Sequence, residues 1–309
     1  MLKTVVGSFP PKKLPLQEAI KWAVDLQLDY DLDIVTDGEQ RTDMISYFGS
    51  LPGLEMTPHG PHIISKILPL DDPQTHAKLE DLRSVKAYLK QKGREDIEVK
   101  ASVTGPITLG FACACNGVTY YNGLTDRRLY SDFAIALKSL VEEIAKTGCY
   151  VQIDEPSLSI RVMDAAEAVK IVNQTISDLP SSILDEDRLI VHVCGSLTPS
   201  VFSELLNLDA PVLSLAFSAP KVRANLEMIS KSLLMSHGKK LGAGCVSVQA
   251  SKKEEVESFD QVSHRLKILK DKLGEEQIAM LHPDCGMRPI GEEAVEPILK
   301  LVAESTKCF

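Results

Sequence analysis

The sequence predicts an α/β fold built as one (β/α)8 barrel, the TIM-barrel architecture, and three observations carry the prediction. Eight short β-branched or apolar runs alternate with longer segments of helical periodicity, the pattern of a parallel sheet covered by helices. Eight such units suffice to close a sheet, and 309 residues is an ordinary length for a single barrel. No glycine-rich dinucleotide fingerprint follows the first run, which disfavours an open doubly wound sheet.

Taken in order, the first run, Thr4–Ser8, ends in Gly7-Ser8-Phe9-Pro10, and Trp22 falls on the helix after it. The second, Ile34–Asp37, ends in Asp37-Gly38-Glu39, with Arg41 and Asp43 close behind. The stretch from Ser46 to Asp96 is long for one connection and carries Pro52, Pro58, Pro61, Pro69 and Pro73 before a helical pattern around Lys78–Lys92. It reads as an elaborated loop region over the barrel mouth, with room for a small hairpin. The third run, Ile97–Val103, leads into Thr104-Gly105-Pro106, and Cys113 and Cys115 follow in a segment read as loop. Leu129–Lys146 is amphipathic, with Phe133, Leu137, Leu140, Val141 and Ile144 on one face, and it precedes the fourth run, Tyr150–Asp154. Leu189–Cys194, Val212–Phe217, Lys240–Val246 and Ile278–Asp284 complete the eight. Helices are expected over Ala165–Ile176, Val201–Leu208, Ala224–Leu234, Val262–Leu273 and Ala294–Val302. Pro199 stands near a helix start, where a missing N–H costs nothing. With no internal repeat and no low-complexity segment, residues 1–309 are read as a single domain.

The formal net charge of -9 argues against nucleic-acid or membrane-surface partners that depend on electrostatics. No apolar run approaches the length of a membrane span. The first residues run straight into a strand pattern, without signal-peptide architecture. Seven irregularly spaced cysteines do not suggest a disulfide framework. The expectation is a cytoplasmic protein with free or metal-bound thiols.

In barrels the working residues stand at the C-terminal ends of strands. Two short motifs are placed there: His192-Val193-Cys194-Gly195 after the fifth run and Pro283-Asp284-Cys285-Gly286 after the eighth. His192 and Cys194 are two residues apart, so on a strand they share a side. One imidazole and two thiols make a soft donor set suited to zinc, and three protein ligands leave a position for substrate. Read singly, each is more simply a core residue, because free cysteine is usually buried and inert. The pairing at two strand ends carries the metal reading. Cys245 is read as a core thiol, and Cys113 with Cys115 as a weak signal that lacks a partner pair. Asp37, Glu39 and Asp154 are either salt-bridge partners, with Arg41 among them, or a carboxylate set for an ammonium group. Gly7-Ser8 is either a tight turn or a set of donors for a carboxylate.

Six segments together resemble a known family. They are Val6-Gly7-Ser8-Phe9-Pro10, Asp37-Gly38-Glu39 with Arg41-Thr42-Asp43-Met44, Thr104-Gly105-Pro106, Gln152-Ile153-Asp154-Glu155-Pro156, His192-Val193-Cys194 and Pro283-Asp284-Cys285-Gly286. In this order they resemble the C-terminal catalytic barrel of cobalamin-independent methionine synthase, most of all its short single-barrel members. The resemblance implies zinc held by His192, Cys194 and Cys285, one ion per chain. It implies homocysteine held through its amino group by Glu39 and Asp154, and through its carboxylate near Gly7 and Ser8. Asp154 and Glu39 are accordingly the expected catalytic carboxylates of an S-methyltransferase.

Two departures shape the expectation. Ala216 stands where the family carries a further zinc-binding glutamate, so the expected site has three protein ligands. The family's longer members have a tryptophan near the segment Ile107-Thr108-Leu109-Gly110-Phe111, whereas the one tryptophan here is Trp22. The expected methyl donor is therefore a corrinoid, either methylcobalamin or a corrinoid protein, rather than a folate polyglutamate that wants an aromatic face. Two competing readings are methylation of another thiol such as coenzyme M, and a noncatalytic homologue with a decayed zinc site.

Overall fold

A computed structural model describes residues 1–309. Its strands are β1 (Leu2–Lys3), β2 (Ile34–Val35), β3 (Leu54–Thr57), β4 (Gly60–Ile63), β5 (Glu98–Thr104), β6 (Tyr150–Asp154), β7 (Leu189–Val193), β8 (Val212–Ala216), β9 (Lys240–Val246) and β10 (Ile278–Pro283). Eight of them form one parallel sheet in the order β1-β10-β9-β8-β7-β6-β5-β2, while β3 and β4 pair as a separate antiparallel hairpin. This is the predicted barrel, with the hairpin in the predicted loop region after the second strand.

The seam between β1 and β2 has no regular ladder, but hydrogen bonds still close it. Asp33 donates its N–H to the Lys3 carbonyl at 3.0 Å, and Phe9 donates to the Gly38 carbonyl at 2.9 Å. Between them, Thr4 Oγ1 donates to the Ile34 carbonyl and Thr36 Oγ1 to the Gly7 carbonyl, both at 2.9 Å. Hydroxyls here stand in for backbone partners, so the expected first strand Thr4–Ser8 is extended chain beyond the short ladder Leu2–Lys3.

The barrel interior is layered. Ile34, Tyr150, Ile190, Val212 and Met280, from five different strands, pack together as an apolar plug. Strand alternation then sends Gln152, His192, Ser214 and His282 inward one step further along. Asp154, Cys194 and Ala216 follow toward the C-terminal mouth. Parallel pairing places Thr104 beside Asp154, Asp154 beside His192, and His192 beside Ser214.

The helices share the main core with the outer face of the sheet. In the helix Arg127–Lys146 the predicted face, Phe133, Leu137, Leu140, Val141 and Ile144, is fully buried, and Asp126 caps its start by accepting from the Arg128 N–H. Each such side chain contributes about 1.5–3 kcal/mol by leaving water. Two sequence expectations need correction. The helix expected over Ala224–Leu234 is two, Asn225–Met228 and Lys231–Ser236. Ser230 is extended and its Oγ accepts from the Leu233 N–H, so capping overrides apolar periodicity. Cys113 and Cys115 lie on the helix Pro106–Asn116, not in a loop. Residues two apart on a helix face different ways, and Cys113 is buried while Cys115 is exposed, so they form no metal pair.

Candidate active site

His192 lies near the end of β7, Cys194 directly follows that strand, and Cys285 follows β10. Their donor atoms all lie within 4.8 Å of one another. His192 is buried and its Nδ1 is 2.8 Å from Ser214 Oγ. Its other nitrogen, Nε2, is buried with no partner at all. An unpartnered polar atom in a core is costly unless something else binds it. The two sulfurs act on each other, pushing the Cys194 thiol up and pulling the Cys285 thiol down. One orphaned imidazole nitrogen facing two sulfurs fits zinc as the residues stand.

No carboxylate joins these three donors. Ala216 ends β8 on the same face as Ser214, is buried, and packs with Ala219 and Val222. Asp284, although beside Cys285, is engaged elsewhere. Its carboxylate accepts the N–H groups of Phe217, Ser218 and Ala219 at 2.8–3.0 Å, which pins the loop after Ala216.

A cavity of about 260 Å³ opens over the three donors. Gly7, Ser8, Glu39 and Asp154 line it together with His192, Cys194 and Cys285, so all seven residues that the resemblance assigned to zinc and homocysteine meet in one place. A Cβ at Gly286 would stand 2.3 Å from Ser8 Oγ, so a larger residue there would turn the Ser8 hydroxyl away from its place. A wider surface groove of about 600 Å³, bordered by Tyr30, Phe259 and Glu296, contains no thiol or imidazole.

Glu39 adopts a left-handed backbone, φ 49°, a strained conformation for a residue with a side chain. It does not pair with Arg41. Lys78 takes that role, with Nζ 2.7 Å from Glu39 Oε1. Arg41 instead turns to Asp81 and Glu80. Asp37 stays behind the cavity, accepting from the Glu39 N–H at 3.0 Å and the Tyr47 hydroxyl at 3.4 Å. Asp154 is oriented from below. Gln152 Nε2 donates to Asp154 Oδ1 at 2.7 Å, and Gln152 Oε1 accepts from Lys100 Nζ at 2.7 Å. Burial pushes the Asp154 carboxyl up and the Lys100 ammonium down.

Sequence reasoning missed Lys78 and Lys100 because an isolated lysine reads as solvent-facing. Each had a signal. Lys78 sits in the first turn of the helix Ala77–Gln91, where the helix dipole disfavours a cation unless it has a partner. Lys100 interrupts the apolar strand Val99-Lys100-Ala101 on the inward face. Phe111, Tyr120 and Tyr121, the nearby aromatic residues that could offer a pterin a face, do not line the cavity. Tyr121 is buried, donating to Asp132 Oδ2 and accepting from the Ile67 N–H.

Comparison with known proteins adds three findings. The family described as "Cobalamin-independent synthase, Catalytic domain" matches residues 1–307. A methionine synthase of Methanothermobacter marburgensis is 32% identical over 100% of both chains, and one of Methanocaldococcus jannaschii is 29% identical over 99% of both. A 5-methyltetrahydropteroyltriglutamate–homocysteine methyltransferase of Bacillus cytotoxicus is 26% identical over 94% of this chain but only 38% of its own length. Among solved structures, a B12-independent methionine synthase from Shewanella superimposes with a TM-score of 0.78, at 18% identity, over 99% of this chain and 98% of that one. The last shares the fold.

Proposed function

The chain belongs to the cobalamin-independent synthase catalytic-domain family, and on that premise we propose that it is a zinc-dependent S-methyltransferase that makes methionine from homocysteine. The observation that carries this reading is the buried, unpartnered Nε2 of His192 facing two sulfurs, under a cavity with two buried carboxylates. Zinc held by His192, Cys194 and Cys285 would lower the pKa of an incoming thiol and supply a nucleophilic sulfur at neutral pH.

The chain's own residues do the positioning. Glu39 and Asp154 clamp the substrate ammonium, and Ser8, beside Gly7 and Gly286, receives the carboxylate. Fixing both ends of a small amino acid aims its sulfur at the three donors, and such orientation removes much of the entropic barrier to attack. Paired carboxylates also repel a sulfonate, which favours homocysteine over coenzyme M. Residues 1–309 act as one catalytic unit. Free thiols at the site call for a reducing compartment, and we place the protein in the cytoplasm. No helix is long and apolar enough to cross a membrane.

For the donor we propose a corrinoid-borne methyl group, on methylcobalamin or a corrinoid protein. Two observations support it. No phenylalanine, tyrosine or tryptophan lines the cavity. Leu14, Met56, Ile64, Leu68, Tyr120, Leu124 and Ile160 are exposed, and each lies on chain that follows the C-terminal end of a barrel strand, apolar surface that suits a large donor. The names of the longer relatives support a second reading, methyltetrahydropteroyltriglutamate. Single-turnover methyl transfer to homocysteine, run with each donor, separates the two. Transfer from the pteridine alone at full rate would sink the corrinoid reading. Transfer to coenzyme M but not homocysteine would sink the acceptor assignment.

A further inference from the structure

We propose that Ser214 and His282 are positioning residues: a directed hydrogen-bond relay through them aims the Nε2 lone pair of His192 into the metal site. The inference rests on reading His192, Cys194 and Cys285 as zinc ligands. The relay crosses three strands. His192 Nδ1 on β7 is 2.8 Å from Ser214 Oγ on β8, and that oxygen is 2.8 Å from His282 Nε2 on β10. The far nitrogen, His282 Nδ1, is 2.7 Å from the Pro283 carbonyl.

The direction follows from the last contact. A carbonyl only accepts, so His282 Nδ1 carries a proton. His282 is 1% exposed, and neither of its ring nitrogens meets a carboxylate, so the ring is neutral and Nε2 has a lone pair. Ser214 must then donate its hydroxyl to His282, which leaves the Ser214 oxygen to accept from His192 Nδ1–H. Nδ1 of His192 therefore carries a proton, and in the neutral ring Nε2 is a bare lone pair. That is the nitrogen found buried and unpartnered. A histidine that binds a metal needs this tautomer, and the partner on its other nitrogen sets it.

The backbone makes space for the relay. A Cβ at Gly242 would stand 3.1 Å from His282 Nε2 and 3.2 Å from Ser214 Cβ, closer than most real contacts. The same histidine lies three residues before Cys285 on the chain. One side chain thus couples the aim of the imidazole ligand to the strand that carries a thiol ligand.

The test uses the full chain labelled with 15N-histidine. Long-range 1H–15N correlation on metal-free wild type reads the His192 tautomer, and chelator competition reads zinc affinity in wild type, Ser214→Ala and Ser214→Thr. The expected result is an Nδ1–H tautomer in wild type and a mixed one in Ser214→Ala. Zinc affinity should fall about 10- to 100-fold in Ser214→Ala, the usual cost of losing an outer partner of a metal-bound histidine, and recover in Ser214→Thr, which keeps the hydroxyl. An Nε2–H tautomer in wild type overturns the relay without reference to any variant. Wild-type zinc affinity in Ser214→Ala overturns the relay but leaves the metal reading standing. Failure of wild type to bind zinc overturns the metal reading and the inference with it.

Discussion

Lys78 places its ammonium 2.7 Å from Glu39 and 3.9 Å over the Tyr47 ring, with the lysine and glutamate side chains only 2% and 8% exposed. Two oppositely charged groups this deeply buried hold each other charged, because leaving either alone is costly. Counting the lining groups Glu39, Asp43, Asp154 and Arg288 together with Lys78 behind Glu39 leaves one net negative charge at the cavity when the three carboxylates are ionised. That is the complement of a single ammonium group.

Removing the lysine should expose this dependence. Lys78→Met strands the Glu39 carboxylate and should cost about 3–5 kcal/mol of stability. The double variant Lys78→Met/Glu39→Gln should regain most of that loss, yet bind homocysteine no better than Glu39→Gln. Denaturant unfolding with titration calorimetry reads both. A fully stable Lys78→Met protein would contradict the ion pair.

The metal site should be selective among the cysteines. Cys194→Ser and Cys285→Ser should each emerge from purification with well under one zinc per chain. Cys245→Ala should keep its zinc, because Cys245 is a core thiol whose pKa burial pushes up to about 12. Elemental mass spectrometry after dialysis decides. Full zinc in either serine variant would remove that sulfur from the ligand set.

Ala216→Glu adds an anionic donor at the end of β8, on the face of Ser214. It should change zinc affinity and slow methyl transfer, since the added group occupies the position kept for substrate. Chelator competition and turnover together test this. If neither moves, the face of Ala216 does not reach the metal.

Acid should weaken the elaborated loop region through His76. Its Nδ1 accepts the Lys78 N–H at 3.1 Å and caps the helix Ala77–Gln91. Burial, and then the facing Lys78 ammonium, lower its pKa from 6.5 to about 4, with Arg41 also opposing charge and Asp81 favouring it. The folded value lies below the unfolded one, so the unfolded chain takes up its proton first as pH falls. The stabilisation is complete above pH 6.5 and is lost progressively toward pH 4. The loss is on the order of 3 kcal/mol. His76→Asn keeps a capping acceptor without the titration, so its melting temperature should fall less over that window. Parallel curves for the two proteins would assign the acid sensitivity elsewhere.

Much of this was legible in the chain. Eight apolar runs and their helices specified a barrel, because strand and helix periodicity are local properties of the backbone. His192, Cys194 and Cys285 stood out because soft ligands at strand ends are chemically unusual, and Glu39 and Asp154 because they sat at other strand ends in a recognisable order. The errors were also local in origin. Ser230 split a helix by capping, Cys113 and Cys115 were helical, and threonine hydroxyls replaced a ladder between β1 and β2.

The sequence by itself determined the parts, their order, and which side chains could serve a metal and an amino acid. Only the tertiary structure decided how they meet. Parallel register and barrel closure are set by packing between strands far apart in the chain. That packing brings Ser8, Glu39, Asp154, His192 and Cys285 around one cavity, gives Glu39 the ammonium of Lys78 in place of Arg41, and lines up Ser214 and His282 behind the imidazole. None of these partners is a sequence neighbour, and no local pattern encodes a distance between side chains on separate strands.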